Sequence, residues 1–251
     1  MSRLSAIIIT RNEAANIADC LAGLAFCDER IVVDSGSMDD TVKIASDHGA
    51  RVATHVFEGF GPQKNFALSL ATGDWILSVD ADERISPPLA SEIKAAVATP
   101  KADAYEIPRI TSFLGRDMMH AGGKQDYVLR LFRRGTAKFT DDLVHERVVC
   151  EGKAARLSTP MQHHSVARLE DALARVDRYS TAGAQMLLES GRKVSFLSGI
   201  GHGLWTFIRV YFLRLGFLDG REGFLQAVAN AEGSYYRYMK AWHLSRQRWQ
   251  N

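Results

Sequence analysis

Nowhere in the 251 residues do eighteen consecutive positions stay apolar and uncharged, so no membrane-spanning helix is expected. There are only three cysteines, Cys20, Cys27 and Cys150, at spacings that form no metal-ligand set. That usage suggests a reducing compartment rather than a disulfide framework. The opening Met-Ser-Arg-Leu lacks a signal-peptide pattern and is expected to run straight into a strand. No GxGxxG follows the first apolar run, which removes the fingerprint needed for nicotinamide-dependent hydride transfer. Charge of one sign is also missing: 31 Lys and Arg stand against 29 Asp and Glu, a net +2. With no basic motif interleaved with aromatics at a recognisable spacing, nucleic-acid binding is not expected. Repeats and low-complexity linkers are absent. The expected location is cytoplasmic, with a membrane surface as a further contact.

What is present is an alternation. "LSAIIIT" reads as a continuous apolar strand of the kind covered on both faces. Asn12 reads as the N-cap of a helix whose apolar stripe is Ile17, Leu21 and Leu24. "RIVVDSGSMDDT" repeats the scheme, with a helix over Thr41–Asp47, and "ARVATHV" is a third strand. After Gly61-Pro62 a helix runs to about Leu70, with Phe66, Leu68 and Leu70 expected inside. "GDWILSVD" is the fourth strand, and Pro87 opens a helix carrying Leu89, Ile93 and Val97. Short strands alternating with helices predict an α/β fold, a mostly parallel sheet flanked by helices. In such sheets ligands gather beyond the carboxyl ends of strands. Thr10–Glu13, Asp34–Asp40 and Asp80–Glu83 all fall at such ends and describe one site.

From residue 101 the alternation breaks into strands, "AYEIPRI" and "YVLRLFRR", around a glycine-containing loop. A helix from Arg168 to about Glu189 carries Leu169, Leu173, Val176, Tyr179, Met186 and Leu187. The last segment is helical, aromatic and basic, and residues 192–251 carry a net +6. Three parts are expected: an α/β half over 1–100, strands and loops of the same catalytic domain over 101–165, and a helical extension over 166–251.

"DWILSVDADERI" places three carboxylates within four residues at the end of a buried strand. Such charges repel and lose hydration, so basic side chains or a metal ion should lie close by. Asp80 and Asp82, one residue apart, suit a hard divalent cation that also takes phosphate oxygens. The plain alternative is acids that end a strand and face water. Asp34 has the position to accept from a ribose or a base N–H, or else simply caps a loop. Lys64, beside Gln63 and Asn65, reaches toward a base or phosphate, or is a solvated lysine. In "DDLVHERV", His145 and Glu146 are either a surface pair or a site in which Glu146 acts as general base. His163 is a possible metal ligand or a loop residue. His120, Lys124 and Gln125 sit in the glycine-containing loop, a candidate lid on the acceptor side. The large apolar residues of the last segment, among them Phe196, Leu197, Trp205, Phe207, Ile208, Tyr211, Phe212 and Leu215, either pack inward or meet a bilayer. In the second case Arg209 and Arg214 would lie near anionic headgroups.

"AIIITRNEAANIADCL", "IVVDSGSMDDT", "PQKNFAL" and "GDWILSVDADER", in this order over residues 4 to about 90, resemble the N-terminal region of family 2 glycosyltransferases. That is the inverting, nucleotide-sugar-dependent class with the A-type fold. "LVHERV" and "YFLRLGFLDGREGF" resemble a narrower bacterial group that adds a β-1,4-linked glucose to the first heptose of the lipopolysaccharide inner core. The resemblance implies that Thr10, Asn12 and Glu13 line the nucleotide pocket, with Lys64 in the same region. Asp34 would hold the uracil or ribose edge and Asp80 the ribose side. Asp82 would coordinate Mg²⁺ or Mn²⁺ on the diphosphate; from the residues alone, Asp80 and His163 are further candidate ligands. Relatives often place the base in an acidic "ED" pair; here Val144-His145-Glu146 stands there, so the role passes to Glu146. The "QxxRW" element of many relatives is not found in its context. The implied partners are a UDP-sugar, glucose first, and an acceptor in the lipopolysaccharide core or on a lipid, at the inner face of the inner membrane. Two alternatives are another hexose on another acceptor, and a nucleotide-binding regulatory module without activity. The carboxylates of Asp80, Asp82 and Glu146 argue against the second.

Overall fold

Seven apolar or small residues form β1 (Leu4–Thr10), which pairs in parallel with β2 (Glu29–Asp34) on one side and β4 (Trp75–Ser78) on the other. With both edges paired, its residues are nearly all buried, Ser5 included. Ser5 is satisfied there, donating to Glu29 at 2.6 Å and accepting from the Gly73 N–H at 2.8 Å. Adjacent side chains on the strand serve opposite layers. Ile8 joins Leu77, Leu89 and Ile93, whereas Ile7 joins Ile31, Ile76 and Phe132. The computed structural model describes residues 2–121, 126–140, 147–166 and 168–247.

Between these strands run α1 (Ile17–Gly23), α2 (Thr41–Asp47), β3 (Arg51–Thr54) and α3 (Phe60–Leu70). The helix placed after Asn12 starts instead at Ile17, with Asn16 at its N-cap position. Asn12 adopts a left-handed φ of +56°, which asparagine tolerates better than most residues. Helix α3 buries Gly61, Gln63, Lys64 and Ala67, while Phe66, Leu68 and Leu70 are only half-buried. Its inward face is polar because Gln63 and Lys64 find partners there.

The chain continues through β5 (Glu83–Arg84), α4 (Pro87–Ala98), β6 (Ala104–Phe113), β7 (Arg116–Asp117), β8 (Asp126–Arg133), β9 (Ala137–Phe139), β10 (Val148–Cys150), β11 (Ala154–Arg156) and β12 (Met161–Val166). Helix α4 buries Leu89, Ile93 and Val97, as its spacing predicts. The principal sheet runs β3-β2-β1-β4-β8-β6-β12-β5. It is parallel from β3 to β4, then β8 lies antiparallel to both β4 and β6, so the sheet is mixed beyond its first half. This is the layered α/β architecture expected of an A-type fold.

Two units divide the chain. One comprises Met1–Ile110 with Asp126–His163, and the other Thr111–Gln125 with His164–Asn251. The second unit holds β7 and the helices α5 (Leu169–Glu189), α6 (Phe196–Ile208) and α7 (Gly220–Gln247). A π-helical turn at Arg209–Leu213 and a 3-10 turn at Gly216–Asp219 join the last two. Helix α5 forms where expected but buries Ala172, Ser180 and Ala184. Leu169, Leu173, Tyr179 and Met186 of its expected stripe are exposed. Among the described residues, no helix is long and apolar enough to cross a membrane.

Candidate active site

The loops after β1 and β2 are laced together. Buried Asp34 accepts from the Thr10 hydroxyl (3.0 Å), the Gly36 and Ser37 N–H groups (2.8 Å each) and the Ser37 hydroxyl (2.5 Å). A carboxylate has about four acceptor positions, and protein donors fill them. Asp34, expected at the uracil or ribose edge, holds this turn through those four bonds. The Asn12 N–H donates to Ser37 Oγ at 2.7 Å, and Asn12 Oδ1 accepts from the Met38 N–H at 2.8 Å. The Glu13 N–H donates to Thr41 Oγ1 at 2.7 Å, and its carboxylate accepts from Asn16 Nδ2 at 2.9 Å. Burial raises the Glu13 pKa against that hydrogen bond, with the charges of Asp82 and Asp39 adding to it. Buried Gln63 ties this edge to α3, donating to Ser35 Oγ at 2.9 Å.

At the end of β4 the chain turns on itself. The Asp80 N–H donates to Glu83 Oε2 and the Glu83 N–H to the Asp80 carbonyl, each at 2.9 Å. The expected positive charge is there as basic side chains. Lys64 Nζ lies 2.9 Å from one Asp80 oxygen and Arg130 Nη2 2.5 Å from the other. Arg130 also donates to Glu83 Oε1 at 2.6 Å, and Arg109 approaches that oxygen at 3.7 Å. Asp80, expected on the ribose side and as a further metal ligand, thus has both oxygens engaged by cations. Burial opposes its ionisation, but Arg130 and Lys64 outweigh that and hold its pKa well below the carboxylate range. Glu83 is 0% exposed, and burial pushes its pKa up against Arg130, with the Asp80 charge adding to the rise. Burial works against the Arg130 cation, yet Asp80 and Glu83 raise its pKa overall.

A change of register puts Arg130 there. Tyr105 of β6 faces Leu131 of β8, but Glu106 faces Leu129, so Arg130 is the extra residue of a β-bulge. Arg130, Leu131 and Phe132 are consequently buried in succession, where strict alternation would put Arg130 outside. Arg130 and Arg109 are the site residues that sequence reasoning missed. Three acids at a strand end announced a buried cation, but not which one.

Asp82, half-buried, meets His163 Nε2 at 3.1 Å. Arg84 links this turn to the β1 loop, donating to the Ala81 carbonyl (2.9 Å) and to Asn16 Oδ1 (3.3 Å). Among the described residues no three His, Cys, Asp or Glu side chains converge as a metal cage. A hard cation bound together with a diphosphate needs only one or two protein carboxylates. The partly accessible Asp82, with His163 beside it, could meet that requirement, while both Asp80 oxygens are engaged by Lys64 and Arg130. Lys64, Asp80, Arg109 and Arg130 line a cavity of about 460 Å³, together with Glu106, Asp126, Phe139 and Arg147. His145, Glu146, Lys124 and Gln125 lie outside the described residues. His120 belongs to the second unit, where its ring meets Asp219 at 2.9 Å and its backbone N–H donates to the same carboxylate.

The family model for glycosyl transferase family 2 matches residues 5–150. An uncharacterized glycosyltransferase of Rickettsia felis is 33% identical over 257 residues, covering 96% of this chain and 89% of the relative. The lipopolysaccharide core biosynthesis glycosyltransferase LpsC of Rhizobium meliloti is 28% identical over 246 residues, covering 95% and 90%. Among solved structures, glucosyl-3-phosphoglycerate synthase from Mycobacterium tuberculosis with Mn²⁺ and UDP-glucose aligns at a TM-score of 0.38, with 26% identity over 44% of each chain.

Proposed function

This chain belongs to glycosyl transferase family 2, an enzyme family of nucleotide-sugar-dependent transfer, and on that premise we propose that it moves a hexose from a UDP-sugar to a saccharide acceptor. The acceptor is lipid-linked or part of a lipopolysaccharide core, and the reaction is a single displacement with inversion. The observation that carries this reading is the convergence of the β1, β2 and β4 loop residues at one edge of the sheet, next to a cavity with fixed cations.

The acceptor hydroxyl attacks the anomeric carbon while Glu146 takes its proton, and the bond to the diphosphate oxygen breaks with its electron pair. Lys64 and Arg130 are already held by carboxylates, so they meet the departing negative charge without reorganising. A divalent ion bound with the diphosphate would be held by Asp82 and would supply Lewis-acid neutralisation of the leaving group. The Asp34 turn shapes the nucleotide side by holding the β1 and β2 loops together. The name of LpsC supports a lipopolysaccharide-core setting without stating a sugar or a linkage. Glucose transfer to the first heptose is therefore the narrower form of the proposal, and transfer of another hexose the broader one. The exposed apolar residues of α6 support work at a membrane surface.

The test is transfer by the purified protein from UDP-glucose and other UDP-hexoses to a heptose-terminated lipid core, with Mg²⁺ or Mn²⁺, read by mass spectrometry. A gain of one hexose that disappears with EDTA is the expected result. A gain only from another UDP-hexose replaces glucose and keeps the mechanism. No binding of any UDP-sugar and no transfer overturns the proposal. In Glu146→Gln, donor binding should persist while turnover falls about 10²–10⁴-fold.

A further inference from the structure

The second unit contains a cavity of about 740 Å³ that no step above uses. Four arginines line it: Arg175 on α5, Arg209 and Arg214 around the π-helical turn, and Arg237 on α7. The lining contains no Asp or Glu. Among the described residues, no ion pair joins any of the four guanidinium groups to a carboxylate. Arg175 donates to the hydroxyl of Ser165, a neutral partner. A concave surface lined by one sign of charge focuses potential and attracts the opposite charge. Guanidinium groups match phosphate oxygens in geometry as well as charge.

The cavity walls are ordered by packing. His202 stacks on Tyr238 with ring centroids 4.0 Å apart and planes 6° from parallel. Gly183 on α5 leaves room for Arg237: a Cβ there would come within 3.0 Å of the arginine Cγ and Cδ. The size lies within the range of small-molecule sites.

An independent feature occupies the same stretch of chain. An amphipathic helix normally turns its large apolar side chains inward. Helix α6 does the reverse: it buries Gly199, Gly203 and Thr206, with Gly199 close against Met239 and Gly203 against Tyr235 of α7. Leu197 (74%), Leu204 (60%) and Trp205 (53%) are exposed. Trp205 also lines the arginine cavity, and Arg214 directly follows exposed Leu213. Large apolar side chains exposed together along a helix of this kind mark a surface that another phase or molecule covers.

We propose that this cavity receives the phosphate of a membrane-anchored amphiphile whose hydrocarbon part lies along the exposed face of α6. Resting on the transferase reading, this makes the acceptor a phosphorylated, lipid-anchored saccharide. Four arginines with no carboxylate partner among the described residues, beside an apolar face, are complementary to that chemistry and to neither a neutral lipid nor a free neutral sugar.

The experiment is co-sedimentation of the full chain with phosphatidylcholine vesicles carrying a phosphorylated glycolipid, the same glycolipid after dephosphorylation, or phosphatidylglycerol. Preference for the phosphorylated glycolipid by about tenfold or more is expected, and Arg175→Gln/Arg237→Gln should remove it. Leu204→Asp, at an exposed position, should release the protein from all three vesicles while leaving calorimetric binding of inorganic pyrophosphate unchanged. Equal preference for phosphatidylglycerol overturns the acceptor assignment, because the bilayer headgroup is then the source of the phosphate. Binding indifferent to phosphate, or unaltered in the folded double-arginine variant, overturns the site. Calorimetric UDP-glucose binding on the same samples separates the two proposals: the double-arginine variant should bind it like the wild type. A wild-type protein that fails to bind any nucleotide sugar sinks the transferase reading and leaves the vesicle result standing.

Discussion

Replacing Arg130 with methionine removes the cation that bonds both Asp80 and Glu83. Lys64 still faces Asp80 at 2.9 Å. Glu83, fully buried, keeps the Asp80 N–H at 2.9 Å and the more distant Arg109 at 3.7 Å. A buried charge stripped of its partner destabilises by about 3–5 kcal/mol. Protonation sets an independent limit. Forcing a carboxyl of ordinary pKa near 4.3 to bind a proton costs about 3.7 kcal/mol at pH 7 and about 1 kcal/mol at pH 5. The two figures agree at neutral pH, and the second makes the deficit pH-dependent.

The sign follows from linkage. The depressed Asp80 pKa contributes stability that is present above the unfolded carboxyl pKa and lost as pH falls through its folded value. The raised Glu83 pKa contributes stability below the unfolded pKa, lost as pH rises through its folded value. Without Arg130 both folded pKa values move up, so the variant falls further behind the wild type as pH rises. Urea unfolding followed by circular dichroism at pH 5, 6, 7 and 8 measures this, with hydrogen exchange of β4 and β8 locating it. At pH 7 the melting temperature should drop by about 7–15 °C. A deficit under about 1 kcal/mol at pH 7, or one that stays flat from pH 5 to 8, refutes the reasoning.

Asp82→Ala should abolish Mg²⁺- or Mn²⁺-dependent turnover and leave stability within about 1 kcal/mol, since among the described residues its side chain is hydrogen-bonded only to His163, at 3.1 Å; full activity would end the metal assignment. Asp34→Ala leaves two buried backbone N–H donors and two hydroxyls without their acceptor and should destabilise by about 2–4 kcal/mol, with faster exchange of the Gly36 and Ser37 amides as the local signature. An unchanged denaturation midpoint would mean that the turn holds without it. Burial pushes the thiols of Cys20 and Cys27 up to about 12, so at pH 8 the native protein should react with a disulfide reagent at half-buried Cys150 alone. More than one fast-reacting thiol would show that the core around α1 opens.

Much of the fold is readable without coordinates. The strands around Ile7, Val32 and Ile76 are short apolar runs between turn signals, and α4 announces itself with Pro87 and a buried Leu89, Ile93, Val97 spacing. Helix α5 shows where such reasoning stops. Its apolar spacing identifies a face, but Leu169, Leu173 and Tyr179 are exposed, because what packs on a helix is decided by other segments. The N-cap misplaced at Asn12 has a similar cause. Its side chain is committed to the Met38 N–H, twenty-six residues further along the chain.

The sequence by itself determined the alternation of strands and helices, the carboxylates at strand ends and the need for positive charge beside them. These follow from local periodicity and from the desolvation of like charges, which any three-dimensional arrangement must respect. Only the tertiary structure decided which residues answer that need. A one-residue bulge opposite Tyr105 and Glu106 turns Arg130 inward, and the lacing of two loops commits every acceptor position of Asp34 to the protein. Strand register and cross-loop hydrogen bonds join residues far apart in the chain, so no pattern within a short window encodes them.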